Sequence, residues 1–116
     1  MIKNQLIYVA HPFVGDKANK YSIDTIMENL VMLDKNNIYL SPIHNFSMLH
    51  FNKQYSKDLK ICLDMLNKCD ALVLCGNWET SKRCIGEWSF AIAKGMPIYT
   101  WKEWTNKLKE QGDNSR

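Results

Sequence analysis

Short unbroken apolar runs alternate along this chain with longer stretches in which apolar residues recur every three or four positions. Leu6-Ile7-Tyr8-Val9-Ala10 is rich in strand-forming residues and has no polar gap, the pattern of a strand covered on both faces. Ala71-Leu72-Val73-Leu74-Cys75 repeats the pattern, and Ile38-Tyr39-Leu40 and Pro97 to Thr100 are shorter versions of it. Between these runs, Ile23, Ile26, Leu30 and Leu33 predict a helix over about 18–35, and Leu59, Cys62, Leu63 and Leu66 predict one over about 55–68. A third helix is expected over about 84–94, with Gly95 as its stop. A last helix is expected over about 102–111, followed by a frayed tail at 112–116.

The order βαβαβαβα implies an α/β fold with helices on both faces of a parallel sheet. The expected architecture is a single doubly wound, flavodoxin- or Rossmann-like domain over residues 1–111, with a four- to five-stranded parallel sheet of order 2-1-3-4(-5). In such sheets ligands bind beyond the carboxyl ends of the strands, where the winding reverses. Here that point lies between the first and third strands. The loops His11–Asp16 and Gly76–Lys82 converge on it, with Ser41–His44 alongside.

Composition narrows the partners. At 46% hydrophobic and 23% charged, the 116 residues are globular in character, and the longest apolar run is far short of the roughly 20 residues a membrane span needs. A cytoplasmic protein with no membrane partner is expected. The net charge of +3 comes mostly from scattered lysines rather than a basic stripe, which argues against nucleic acid as the ligand. Cys62, Cys69, Cys75 and Cys84 lack the C-x-x-C spacing of zinc or redox sites and read as reduced, buried thiols. His11, His44 and His50 show no short metal-ligand spacing, so no metal and no cofactor is expected.

The Gly76–Lys82 loop runs directly into a helix N-terminus, whose free N–H groups and partial positive charge suit an anion. Thr80 and Ser81 add hydroxyls, and Lys82 and Arg83 add positive charge; an ordinary helix cap beside solvated basic residues has the same signature. Glu87 follows in the first turns of that helix. It would lie at the crevice rim if Ile85 and Ile92 face the sheet, and could then act as a nucleophile; a solvent-facing helix glutamate looks the same in sequence. Phe13, Phe46 and Trp78 sit on the site loops and could stack on a base or form a lid.

Three segments carry a family likeness: Tyr8-Val9-Ala10-His11-Pro12-Phe13; Cys69-Asp70-Ala71-Leu72-Val73; and Gly86-Glu87-Trp88-x-x-Ala91-x-Ala93-x-Gly95-x-Pro97. Together they resemble the nucleoside 2-deoxyribosyltransferase family, in particular its small branch common in phages and bacteria. That branch also carries versions of Ser41-Pro42-Ile43-His44 and Gly76-x-Trp78. The resemblance implies cleavage or transfer of an N-glycosidic bond, with Glu87 as nucleophile and Tyr8 beside the sugar. It also implies that Ser81 holds a 5′-phosphate, and that the protein forms a homodimer or higher homo-oligomer whose copies complete one another's sites.

Relatives carry a second carboxylate on the helix before strand 3, and the best register puts Cys62 at that position. Asp58 lies at the end of its helix on the crevice side of the sheet and becomes the candidate partner acid, with Asp16 and Glu79 on the loops behind it. The ligand-binding set expected with these residues is His11, Pro12, Phe13, Asp16, His44, Asn77, Trp78, Thr80, Ser81 and Arg83. Two functions follow as expectations. One is an N-glycosidase or deoxyribosyltransferase acting on a nucleoside 5′-phosphate. The other is sequestration of a nucleotide-derived signal of ADP-ribose or cyclic-nucleotide type, as a phage anti-defence sponge would perform. Both need Glu87 and Ser81 at one pocket mouth.

Overall fold

A computed structural model describes residues 4–12, 17–42 and 55–114; at 17–21, 55–58 and 111–114 it describes the backbone alone. The elements are β1 (Leu6–Ala10), α1 (Lys17–Leu33), β2 (Ile38–Leu40), α2 (Tyr55–Asn67), β3 (Ala71–Leu74), α3 (Lys82–Lys94), β4 (Ile98–Thr100) and α4 (Trp101–Asn114), with a 3-10 turn, Trp78–Thr80, before α3. All three strand pairings are parallel, and the order is β2-β1-β3-β4. This is the doubly wound arrangement expected, with four strands among the described residues. No helix of the described residues is long and apolar enough to cross a membrane.

The continuous apolar runs are explained by the two faces of the sheet. Along β1, Ile7 and Val9 point into a core completed by Ile23 and Leu30 of α1, Ala71 and Val73 of β3, and Trp104 of α4. Tyr8 and Ala10 point into the opposite core, with Cys62 and Leu66 of α2, Leu72 and Leu74 of β3, and Cys84 and Ala91 of α3. Every residue from Ile7 to Ala10 is fully buried, so both sets of alternate positions must be apolar or fully partnered. Tyr8 is the one member of β1 with a polar tip.

Local signals fix the ends of α3. Ser81 has extended backbone angles and its Oγ accepts a hydrogen bond from the Cys84 N–H at 3.2 Å, an N-cap. Gly95 takes the left-handed conformation at φ 72°, and its N–H returns to the last turn. Gly86 allows the close approach of α2: a Cβ there would sit 3.1 Å from Leu59 Cδ1.

Several expectations from the pattern are corrected. Helix α4 spans Trp101–Asn114, a few residues beyond the expected end, with Trp101, Trp104 and Leu108 packed on the α1 side of the sheet. Leu33 does not join that core: it is 70% exposed, and α1 ends there with Leu30 as its last buried contact. On α3 the expected orientation is reversed. Ile85 and Ile92 are exposed, and Cys84, Glu87 and Ala91 face the sheet. Small side chains at 84 and 91 bring the helix close enough for the glutamate to reach β1.

Candidate functional site

The reversal of α3 places a carboxylate in the core. Glu87 is 0% exposed and meets three donors. The Tyr8 hydroxyl, from the middle of β1, donates to Oε2. Nη1 of Arg83, one helical turn earlier, donates to both carboxylate oxygens at 3.0 and 2.9 Å. The Cys62 thiol of α2 hydrogen-bonds the same carboxyl. Nη2 of Arg83 donates to the His11 carbonyl at 2.6 Å, at the end of β1. Residues of β1, α2 and α3 thus close on one acid beside the carboxyl half of β1, near the point where the sheet winding reverses.

The electrostatics of the cluster are opposed. Burial pushes the Glu87 carboxyl above its ordinary range, while Arg83, Tyr8 and Cys62 pull it back. Burial likewise drives the Tyr8 phenol well up, and the neighbouring Glu87 adds to the rise. For Arg83, burial acts to lower the guanidinium, but Glu87 overrides it and the group stays charged. Cys84, next to the cluster, is pushed up to about 11 by burial, so it is a protonated, unreactive thiol.

His11 links this cluster to α1. Its ring is buried, Nδ1 lies 2.7 Å from the Pro12 carbonyl, and Nε2 lies 3.0 Å from Ser22 Oγ. Burial lowers its pKa below the ordinary histidine value, against the opposing pull of the Pro12 carbonyl and with Arg83 adding to the lowering. Gly76 sits against the ring, and its left-handed backbone (φ 61°) has no room for a side chain: a Cβ would be 2.8 Å from Nε2.

A model of the DUF4406 family, described as a domain of unknown function, matches residues 5–100. The chain belongs to the DUF4406 family. No curated protein matches it. The matched span of this DUF4406 domain takes in β1, α2 and α3, the three elements that supply the Glu87 cluster.

Within the DUF4406 domain the expected site residues separate into groups. Tyr8, His11, Arg83 and Glu87 are brought together by direct hydrogen bonds, with Pro12 supplying the carbonyl under His11. Ser81 lies six residues before Glu87 on the same helix, 7% exposed, with its Oγ turned to the Cys84 N–H. Asn77 and Thr80 are exposed, and Thr80 Oγ1 donates to the Asn77 carbonyl at 2.7 Å. Trp78 is half-buried and packs on Trp88 of α3, ring centres 5.9 Å apart.

Phe13, Asp16 and His44 lie outside the described residues, as does Phe46, and of Asp58 only the helical backbone is described. Among the described residues no group of His, Cys, Asp and Glu could hold a metal. One participant, Ser22, was not anticipated, and one, Cys62, takes a part other than the one read for it. Ser22 gave no signal beyond a polar position in an amphipathic helix. Cys62, read as a small apolar residue, is a donor to Glu87. The Arg83–Glu87 contact did have a signal: the i, i+4 spacing of opposite charges.

Proposed function

We propose that this DUF4406 domain binds a nucleoside 5′-phosphate in the crevice beyond β1 and β3 and cleaves or transfers its N-glycosidic bond, with Glu87 as nucleophile. The supporting observation is the Glu87 carboxylate itself, fully buried against β1 and held by Tyr8 and Arg83. The sequence likeness to nucleoside 2-deoxyribosyltransferases gives the reaction class. A Glu87 oxygen bonds to the sugar C1′ as the C1′–N bond breaks, and the base leaves with the bonding pair and takes up a proton. Water or a second base then attacks C1′ and frees the carboxylate. Tyr8 orients the nucleophile, and Arg83 favours its ionised form against the effect of burial. Ser81 and the α3 N-terminus take the phosphate.

One observation favours a second reading, sequestration of a nucleotide-derived ligand without turnover. Both Glu87 oxygens are engaged by Arg83, and the position where relatives hold a second acid is the thiol of Cys62. A thiol is a poor proton donor to a leaving base at neutral pH.

Incubation with nucleoside monophosphates and ADP-ribose derivatives, followed by chromatography, separates the two. Free base from wild type and none from Glu87→Gln carries the enzymatic reading. Ligand retained tightly and recovered intact after denaturation carries sequestration. Absence of binding across the panel defeats both.

A further inference from the structure

The hydrogen bonds around His11 fix which atom carries which proton. The Pro12 carbonyl accepts only, so Nδ1, 2.7 Å away, bears the hydrogen and donates to it. In the neutral ring, the form that burial and Arg83 favour, Nε2 then carries no proton. Nε2 is therefore the acceptor of its contact with Ser22, and the Ser22 hydroxyl donates to it at 3.0 Å. A serine hydroxyl giving its hydrogen bond to a neutral imidazole, whose far nitrogen is held by a fixed acceptor, is the arrangement that activates a serine for attack.

Two features show that the pair is positioned rather than incidental. Gly76 leaves the space beside Nε2, since any larger residue there would collide with the ring. The His11 main chain is pinned from the other side by Arg83 at 2.6 Å. Ser22 itself is only partly buried, in the second turn of α1 beyond the carboxyl end of β1.

We propose that Ser22 is a second nucleophile of this domain, with His11 as its base, directed at phosphoryl-type centres. In the step envisaged, Ser22 Oγ forms a bond to phosphorus as the bond from phosphorus to the leaving group breaks. The serine proton passes to His11 Nε2 and from there to the departing group. The pair uses neither Glu87 nor Ser81, so it stands or falls separately from the glycosidic reading.

The test is covalent capture. The full chain is incubated with a fluorophosphonate probe at pH 8 and digested with trypsin, and peptide 21–35 is read by mass spectrometry. A stoichiometric adduct on Ser22 is expected, with fluoride released, absent in Ser22→Ala and reduced at least tenfold in His11→Gln. A Ser22→Cys variant covers the case in which His11→Gln unfolds. Paired with the imidazole, the introduced thiol is expected to react with iodoacetamide at pH 6.5 more than tenfold faster than free cysteine. An unmodified Ser22 in the folded wild type, together with ordinary thiol reactivity in the Ser22→Cys variant, overturns the proposal. So does labelling that persists undiminished in a folded His11→Gln.

Discussion

Removing Arg83 tests the electrostatic account of the site most directly. Arg83→Met keeps the length of the side chain and its helix propensity but deletes three hydrogen bonds, two to Glu87 and one to the His11 carbonyl. Glu87 is then a carboxylate with 0% exposure and only Tyr8 and Cys62 as donors. Removing one partner of a buried ion pair costs about 3–5 kcal/mol, mostly as the penalty of the stranded charge. Against a total of roughly 5–15 kcal/mol for a domain, that is a large share.

The pH dependence follows from the sign of the Glu87 shift. Burial already holds this carboxyl above its ordinary value, and loss of Arg83 raises it further. A carboxyl raised on folding contributes stability that is complete below its unfolded pKa and disappears as pH rises through the folded one. The deficit of Arg83→Met relative to wild type therefore grows from pH 5 to pH 8. Urea denaturation followed by tryptophan fluorescence at the two pH values measures it. Arg83→Met/Glu87→Gln, with no buried charge, is expected to recover at least half of the loss at pH 8. A deficit under about 1 kcal/mol at pH 8, the range of an exposed pair, one that shrinks as pH rises, or no rescue by the second substitution would refute the reasoning.

Two further substitutions probe the parts that hold the site. Gly76→Ala forces a Cβ to within 2.8 Å of His11 Nε2 at a left-handed backbone position; it is expected to cost about 1–3 kcal/mol and to shift the His11 ring resonances in NMR spectra. Asp34 accepts from the Asn36 N–H at 2.9 Å, Asn37 Nδ2 at 2.8 Å and the Tyr39 hydroxyl at 2.5 Å, and Tyr39 in turn accepts from Trp104 Nε1 at 3.0 Å. Asp34→Ala orphans these donors, and a loss of about 2–3 kcal/mol in urea denaturation is expected, with no change in the proposed nucleotide binding.

The fold was legible because each strand is buried on both faces, which demands unbroken apolar runs, and because Gly95 and Ser81 mark the ends of α3 by conformational chemistry. The site was legible in its membership and less so in its orientation. Tyr8, His11, Arg83 and Glu87 could be nominated from topology and family likeness, but periodicity pointed α3 the wrong way. A hydrophobic count favours turning Ile85 and Ile92 inward; the helix instead buries Glu87, because Arg83, Tyr8 and Cys62 together satisfy its carboxyl. That compensation depends on residues up to 79 positions apart, and no local window contains it. Cys62 illustrates the same limit: the family register placed it near the site, but that its thiol meets the Glu87 carboxyl is legible only in the fold.

The orientation of α3 bears on function as well as on fold. A helix that leaves Ile85 and Ile92 at 40% and 51% exposure while burying a glutamate and an arginine forgoes apolar burial on one side and takes on desolvation on the other. Well-packed apolar residues of similar volume at 83 and 87 would be neutral to stabilising by about 1–4 kcal/mol. A small domain has little surplus stability to give up, so this local conflict with the folding pattern marks a place where something other than stability is at work. The conflict coincides with the carboxyl end of β1 and the reversal of sheet winding, the point at which this architecture exposes its strands' ends to ligands. Burial, polarity and topology therefore converge on Glu87 independently of any family likeness, which is why the proposed reaction is assigned to it.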